Sequence, residues 1–179
     1  MTIDEKSAHQ PGHQVPPKKQ TSLGLYVTAR EAYEMWKIEP EQVKILDVRT
    51  PEEYIFVGHP EMARNIPLLF VTYQWNVEKD EPCIRPNPEF IPRVQHLYST
   101  SDTLLVMCRS GGRSALAANM LIKAGFQDVY NVVDGMEGDK VNDSASLYHG
   151  KRMKNGWKNS GVQWTYDANP QLLWISEGR

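Results

Sequence analysis

Thr103-Leu104-Leu105-Val106-Met107-Cys108-Arg109-Ser110-Gly111-Gly112-Arg113-Ser114 is the most informative run in this chain. Residues 103–107 are β-prone and almost wholly apolar. They lack the polar alternation of a strand with one wet face, so they suit a central parallel strand covered on both sides. The run stops at Cys108. Beyond the glycines, Ala115, Leu116, Ala118, Met120, Leu121 and Ile122 recur at helical spacing. Lys123 falls in the last turn and Gly125 is placed to end the helix. A buried strand, a tight loop and an amphipathic helix, in that order, are the start of a strand–helix–strand crossover.

The same pattern extends in both directions. Val129-Tyr130-Asn131-Val132-Val133 reads as the next strand. Upstream, Phe90, Val94, Leu97 and Tyr98 predict an amphipathic helix over 89–98, and Val43-Lys44-Ile45-Leu46-Asp47-Val48 predicts another buried strand. Thr28-Ala29-Arg30-Glu31 has the form of a capping box, with Val27 as staple, and opens a helix that Pro40 closes. Pro51-Glu52-Glu53-Tyr54 resembles a first helical turn, with proline at its first position and acids facing the positive end of the dipole. Gly58 ends that helix. Alternating strands and helices make an α/β domain with a mostly parallel sheet. Residues 68–87 stand apart as an insertion. Val71, Tyr73, Trp75 and Val77 alternate with polar residues as in a strand or extended excursion, and Pro82, Pro86 and Pro88 are expected to break any regular element.

These readings give a flexible polar tail over 1–22, a domain over 23–147, and an extension over 148–179 that wraps the domain with Trp157, Trp164 and Trp174 as anchors. His9 and His13 fall in the tail and are read as solvent-exposed. The 179 residues are 40% hydrophobic and 23% charged, with a net charge of -2, so no basic footprint for nucleic acid or an anionic membrane is expected. The two cysteines, Cys83 and Cys108, are too few for a disulfide framework and have no zinc-ligand spacing. Neither a metal nor an organic cofactor is therefore expected. The opening Met1-Thr2-Ile3-Asp4-Glu5-Lys6 lacks the apolar core of a signal peptide, and no apolar run approaches the ~20 residues of a membrane span. The expectation is a cytoplasmic protein.

The loop after residue 107 carries the chemistry. Ligands of open α/β sheets bind beyond the carboxyl ends of the strands, which is where Cys108 stands. Three features favour its thiolate, the nucleophilic form. The following helix presents unsatisfied N–H groups and a partial positive charge. Gly111 and Gly112 can take the unusual dihedrals that curl N–H groups into an anion nest. Arg109 and Arg113 add fixed positive charge. A thiolate inside an oxyanion cradle points to attack on a group attached to that oxyanion, either phosphorus or the outer sulfur of thiosulfate. Cysteine-dependent phosphatases place five residues between cysteine and arginine, whereas four separate Cys108 from Arg113. The narrower cradle suits a persulfide better than a phosphate. Asp47 and Arg49 are read as a structural ion pair or loop support, and His59 as structural. Cys83, with only Arg85 as a basic neighbour, is also read as structural.

At this point the chain resembles a single-domain rhodanese of the thiosulfate sulfurtransferase family. The likeness runs from about residue 23 to 139. It rests on Ile45-Leu46-Asp47-Val48-Arg49, Glu52-Glu53-Tyr54, Gly58-His59, Asn65-Ile66-Pro67, the loop Cys108-Arg109-Ser110-Gly111-Gly112-Arg113-Ser114, and Val133-Asp134-Gly135-Met136. Where such proteins often read Gly-His-Ile-x-Gly-Ala, this chain has Gly58-His59-Pro60-Glu61-Met62-Ala63. The resemblance implies a five-stranded parallel sheet flanked by helices and a persulfide on Cys108 held by the loop amides. The expected reaction moves sulfane sulfur from thiosulfate or polysulfide to cyanide, a thiol or a protein acceptor. Arg109, Ser110, Gly111, Gly112, Arg113 and Ser114 are expected to bind the donor. The alternatives are a persulfide carrier fed by a partner protein, a phosphatase or arsenate reductase on the same fold, and a non-catalytic interaction module.

Overall fold

The structure, a computed structural model, describes residues 15–175. His9, His13 and the first fourteen residues of the expected tail lie outside this range. The elements are β1 (Tyr26–Val27), α1 (Ala29–Ile38), β2 (Val43–Asp47), α2 (Pro51–Val57), β3 (Arg64–Asn65), β4 (Leu69–Asn76), β5 (Glu81–Pro86), α3 (Phe90–Leu97), β6 (Thr103–Met107), α4 (Gly112–Lys123) and β7 (Asp128–Val132). Five strands form a sheet in the order β1-β7-β6-β2-β3, and every pairing in it is parallel. Among the described residues no helix is long and apolar enough to cross a membrane.

The apolar run of β6 explains the layering. Successive strand side chains point to opposite faces. Leu104, Val106 and Cys108 join Phe90 and Val94 of α3 and Ala117, Ala118 and Leu121 of α4 in one buried cluster. Leu105 and Met107 join Ala29 and Ala32 of α1 and Tyr54 of α2 in the other. Both faces of the central strand are therefore dry, and it needs no polar alternation. The helix starts follow their sequence signals. Thr28 and Glu31 form a reciprocal capping box at α1, and Thr50 and Glu53 form a second one at α2. Gly58 (φ +90°) and Gly125 (φ +101°) turn the chain at the ends of α2 and α4.

Two expectations are corrected. The 68–87 segment forms an antiparallel hairpin, β4 on β5, whose register shifts between Val71 and Trp75. Prolines do not break it because a two-stranded ribbon uses only alternate N–H groups of each strand. Pro82 and Pro86, four residues apart, share one phase of the ladder. The expected tail also ends sooner. Pro17–Lys19 form a 3-10 turn against α4, and Lys19 is buried. Its ammonium donates to the Val133 carbonyl at 2.8 Å and pairs with Asp139 at 2.9 Å. A lysine is buried only with such partners, and these lie too far along the chain for sequence pattern to find.

After β7 the chain crosses the domain surface. Trp157 is fully buried beside α1, with its indole N–H donating to the Gln163 carbonyl. His59 and Thr165 exchange backbone hydrogen bonds, and Asn65 N–H donates to Leu172, covering the β3 edge. Trp174 packs on the α3/α4 side, next to Phe70.

Candidate active site

Cys108 follows β6 directly, with its side chain on the α4 side of the sheet and only 2% exposed. Its position is fixed by three backbone bonds from two segments. Val48 N–H donates to the Met107 carbonyl, Met136 N–H to the Cys108 carbonyl, and Glu137 N–H to the Arg109 carbonyl. Two glycines permit the fold-back. Gly111, the N-cap of α4, has φ +95°, and a Cβ there would sit 2.3 Å from the Val133 carbonyl oxygen. Gly135 has φ +59°, and its Cβ would sit 2.5 Å from the Cys108 oxygen.

Among the described residues, two groups reach the sulfur. Gly111 N–H donates to Cys108 Sγ at 3.2 Å, and Ser114 Oγ lies 3.3 Å away. Ser114 Oγ is also 2.6 Å from Asn131 Oδ1. The Asn131 amide cannot be reversed, because its Nδ2 donates to the carbonyls of Lys19 (2.8 Å) and Gly111 (3.0 Å). A serine hydroxyl has one proton. While that proton goes to Asn131, Ser114 offers the sulfur a lone pair, which matches an S–H donor. When the sulfur is anionic, the hydroxyl rotates to donate to it. The open N–H groups of the first turn of α4 add their partial positive charge.

The family model described as rhodanese-like domain matches residues 28–141. The chain belongs to the rhodanese-like domain family. It is 27% identical over 140 residues to an uncharacterized RP600 homolog of Rickettsia rickettsii, covering 78% of this chain and 96% of that one. It is 37% identical over 92 residues to thiosulfate sulfurtransferase 16, chloroplastic, of Arabidopsis thaliana, covering 51% of this chain and 69% of the relative. Among solved structures, that of Rv0390 from M. tuberculosis superimposes with a TM-score of 0.59 at 27% identity, covering 79% of this chain and 96% of that one.

Within this rhodanese-like domain the residues expected at the site divide into groups. Cys108, Gly111 and Ser114 meet at the sulfur. Arg109 is exposed beside it. Gly112 differs from expectation: it is the first helical residue of α4, and a Cβ there would meet nothing closer than the Lys18 carbonyl oxygen at 3.9 Å. Arg113 forms a two-pronged pair with Glu53, Nη2 to Oε1 at 2.5 Å and Nη1 to Oε2 at 2.6 Å. Burial alone would raise the Glu53 carboxyl, but Arg113 and the Thr50 N–H outweigh it and hold the group below its ordinary range. Burial likewise works against the Arg113 charge, and Glu53 overcomes it.

Asp47 and Arg49 form a fully buried pair at 2.6 Å, and Arg49 Nη2 also donates to the Gly58 carbonyl. Together they lace the end of β2 to the end of α2. His59 stacks on Tyr54 with ring centroids 3.6 Å apart, its Nδ1 on the Tyr54 carbonyl. Cys83 lies in β5, half-buried. Three contributors had escaped the sequence reading. Glu53 reads in the sequence only as an acid in the first turn of α2, not as a partner for Arg113. Asn131 was hidden in a strand, and Lys19 in the apparent tail.

Proposed function

We propose that this protein is a sulfurtransferase that carries sulfane sulfur as a persulfide on Cys108. The supporting observation is the pair of groups aimed at Cys108 Sγ, the Gly111 N–H and the Ser114 hydroxyl, at the positive end of α4. Donors fixed before reaction stabilise an anionic sulfur without reorganisation. The reaction is a double displacement. The Cys108 thiolate attacks the outer sulfur of thiosulfate. The S–S bond of the donor breaks, and sulfite leaves with the electron pair. An acceptor, cyanide in an assay or a thiol in the cell, then attacks the terminal persulfide sulfur, and Cys108 departs as thiolate. Polysulfide can serve as donor by the same displacement. Arg109, exposed at the mouth, attracts the anionic donor. Arg113, already matched by Glu53, braces the loop and contributes less to binding than its position in sequence suggests. That pairing also supports sulfur over phosphate chemistry, since phosphoryl transfer would require a guanidinium available to the transferred group. Two free thiols, Cys83 and Cys108, support a reducing compartment such as the cytoplasm.

Incubation with thiosulfate should add one sulfur atom to the intact mass and, with cyanide, release thiocyanate. Cys108→Ser should abolish both. A wild-type protein that gains no sulfur from thiosulfate or polysulfide and forms no thiocyanate would refute the proposal.

A further inference from the structure

The β4–β5 hairpin is turned inside out. Directly paired residues of an antiparallel ribbon share a face. Leu69 with Pro86, Val71 with Ile84 and Trp75 with Pro82 make one face, while Phe70 with Arg85 and Asn76 with Glu81 make the other. The mixed face is only partly covered by the protein, with Gln74, Glu81 and Arg85 on it exposed. Phe70 meets Trp174, and Thr72 and Cys83 are half-buried and joined by a hydrogen bond from Thr72 Oγ1 to the Cys83 carbonyl. The uncharged apolar face is turned to solvent. Val71, Trp75 and Ile84 are 52%, 57% and 60% exposed, and Tyr73 and Val77, beside them, 108% and 85%. A two-stranded ribbon is marginal in water even when its apolar side is covered.

The exposed area points to the kind of partner. At these exposures the five side chains present on the order of 700 Å² of surface, above the ~300–600 Å² of the largest patch on a typical monomer and near the ~800 Å² each side gives a standard interface. The chain's own remaining segments are the wrong chemistry to cover it. Residues 1–14 hold only Met1, Ile3 and Ala8 as hydrophobic side chains, and 176–179 are Ser-Glu-Gly-Arg.

We propose that this face is covered by the same face of a second copy of the chain, hairpin on hairpin about a two-fold axis. A two-fold interface uses one patch twice, and this patch brings no like charges together. Stacking the hairpins antiparallel about that axis also keeps the net-acidic turns, Glu78-Lys79-Asp80-Glu81, at opposite ends. The base of the hairpin, Leu68, packs in the same cluster as Cys108.

Sedimentation velocity on the full chain, from micromolar to submillimolar, tests this. The wild type should sediment as a dimer. Trp75→Glu should weaken the dimer by roughly thirtyfold or more, as expected for a central tryptophan hot spot. Val77→Lys is a second variant should the first disturb folding, which circular dichroism reports. Leu147→Glu, at a still more exposed apolar site outside the hairpin, should leave the dimer intact. A wild type that is monomeric throughout overturns the proposal, as does a dimer that survives both hairpin variants or one that Leu147→Glu breaks equally. A monomer that floats with phosphatidylcholine–phosphatidylglycerol vesicles, and loses this with Trp75→Glu, overturns it in favour of a lipid surface.

Discussion

Ser114 has one proton and two acceptors within reach, and that conflict defines its part in the site. In the resting contact the proton goes to Asn131; on an anionic sulfur it turns to Cys108. Ser114→Ala removes one of the two groups at Sγ. Sulfur loading from thiosulfate, followed by stopped intact-mass measurements, should slow about tenfold, the low end of a hydrogen bond to a charged group. Asn131→Ala leaves the Lys19 carbonyl unmet in a buried site and the Gly111 carbonyl with only the Ala115 N–H. It should cost about 2–4 kcal/mol in urea unfolding. The two loop glycines should behave differently. Gly111→Ala places a methyl against the Val133 carbonyl oxygen in a left-handed conformation and should destabilise the protein by at least about 2 kcal/mol with loss of loading. Gly112→Ala occupies open helical space and should be neutral or slightly stabilising, since alanine is favoured over glycine in a helix by up to about 1 kcal/mol.

Helix α2 shows how an element serves the site without touching the sulfur. Its capping residue Glu53 satisfies the helix start and clamps Arg113 of α4, so one carboxylate ties two helices across the loop. Because Glu53 titrates below its ordinary value of 4.5 when folded, its stabilisation is complete above that pH and is lost as pH falls below it. Glu53→Gln should lower stability by about 1–2 kcal/mol near neutrality, allowing for the partial exposure of the pair. It should also flatten the decline of Tm below pH 4.5, measured by calorimetry across pH. The elements themselves were legible because each had a local signal: the apolar run of β6, the Thr28–Glu31 box, the glycine after α4. The clamp was not legible. Glu53 and Arg113 are sixty positions apart, and nothing local distinguishes a capping acid that also binds across the fold. The hairpin was half legible: the alternation of Val71, Tyr73 and Trp75 gave β4. The prolines of β5 obscured its partner, because their tolerance depends on a ladder phase that only pairing sets.

At the scale of the whole molecule, the C-terminal extension is fastened where His59 and Thr165 exchange backbone bonds. His59 is buried on Tyr54, and burial holds its imidazole below the ordinary value of 6.5 despite the Tyr54 carbonyl. A depressed histidine leaves the unfolded chain binding more protons, so stability falls as pH drops below 6.5. His59→Phe preserves the stack and should remove that slope from Tm measured over the mildly acidic range. The core of the fold was readable from strand and helix periodicity, whereas the fastening of both ends was not, since Lys19 and Trp157 find their partners only in three dimensions. Lys19 bears on how the protein could be cut and recombined. The shared family region begins at residue 28, and a chimera joined there would keep every residue of the Cys108 loop. It would lose the ammonium on Val133 and the carbonyl that orients Asn131, and with them the brace on Gly111. The portable module therefore includes the Pro17–Lys19 turn and reaches forward past Trp157, and grafts made at the family boundaries should melt lower and load sulfur more slowly than grafts made at these wider ones.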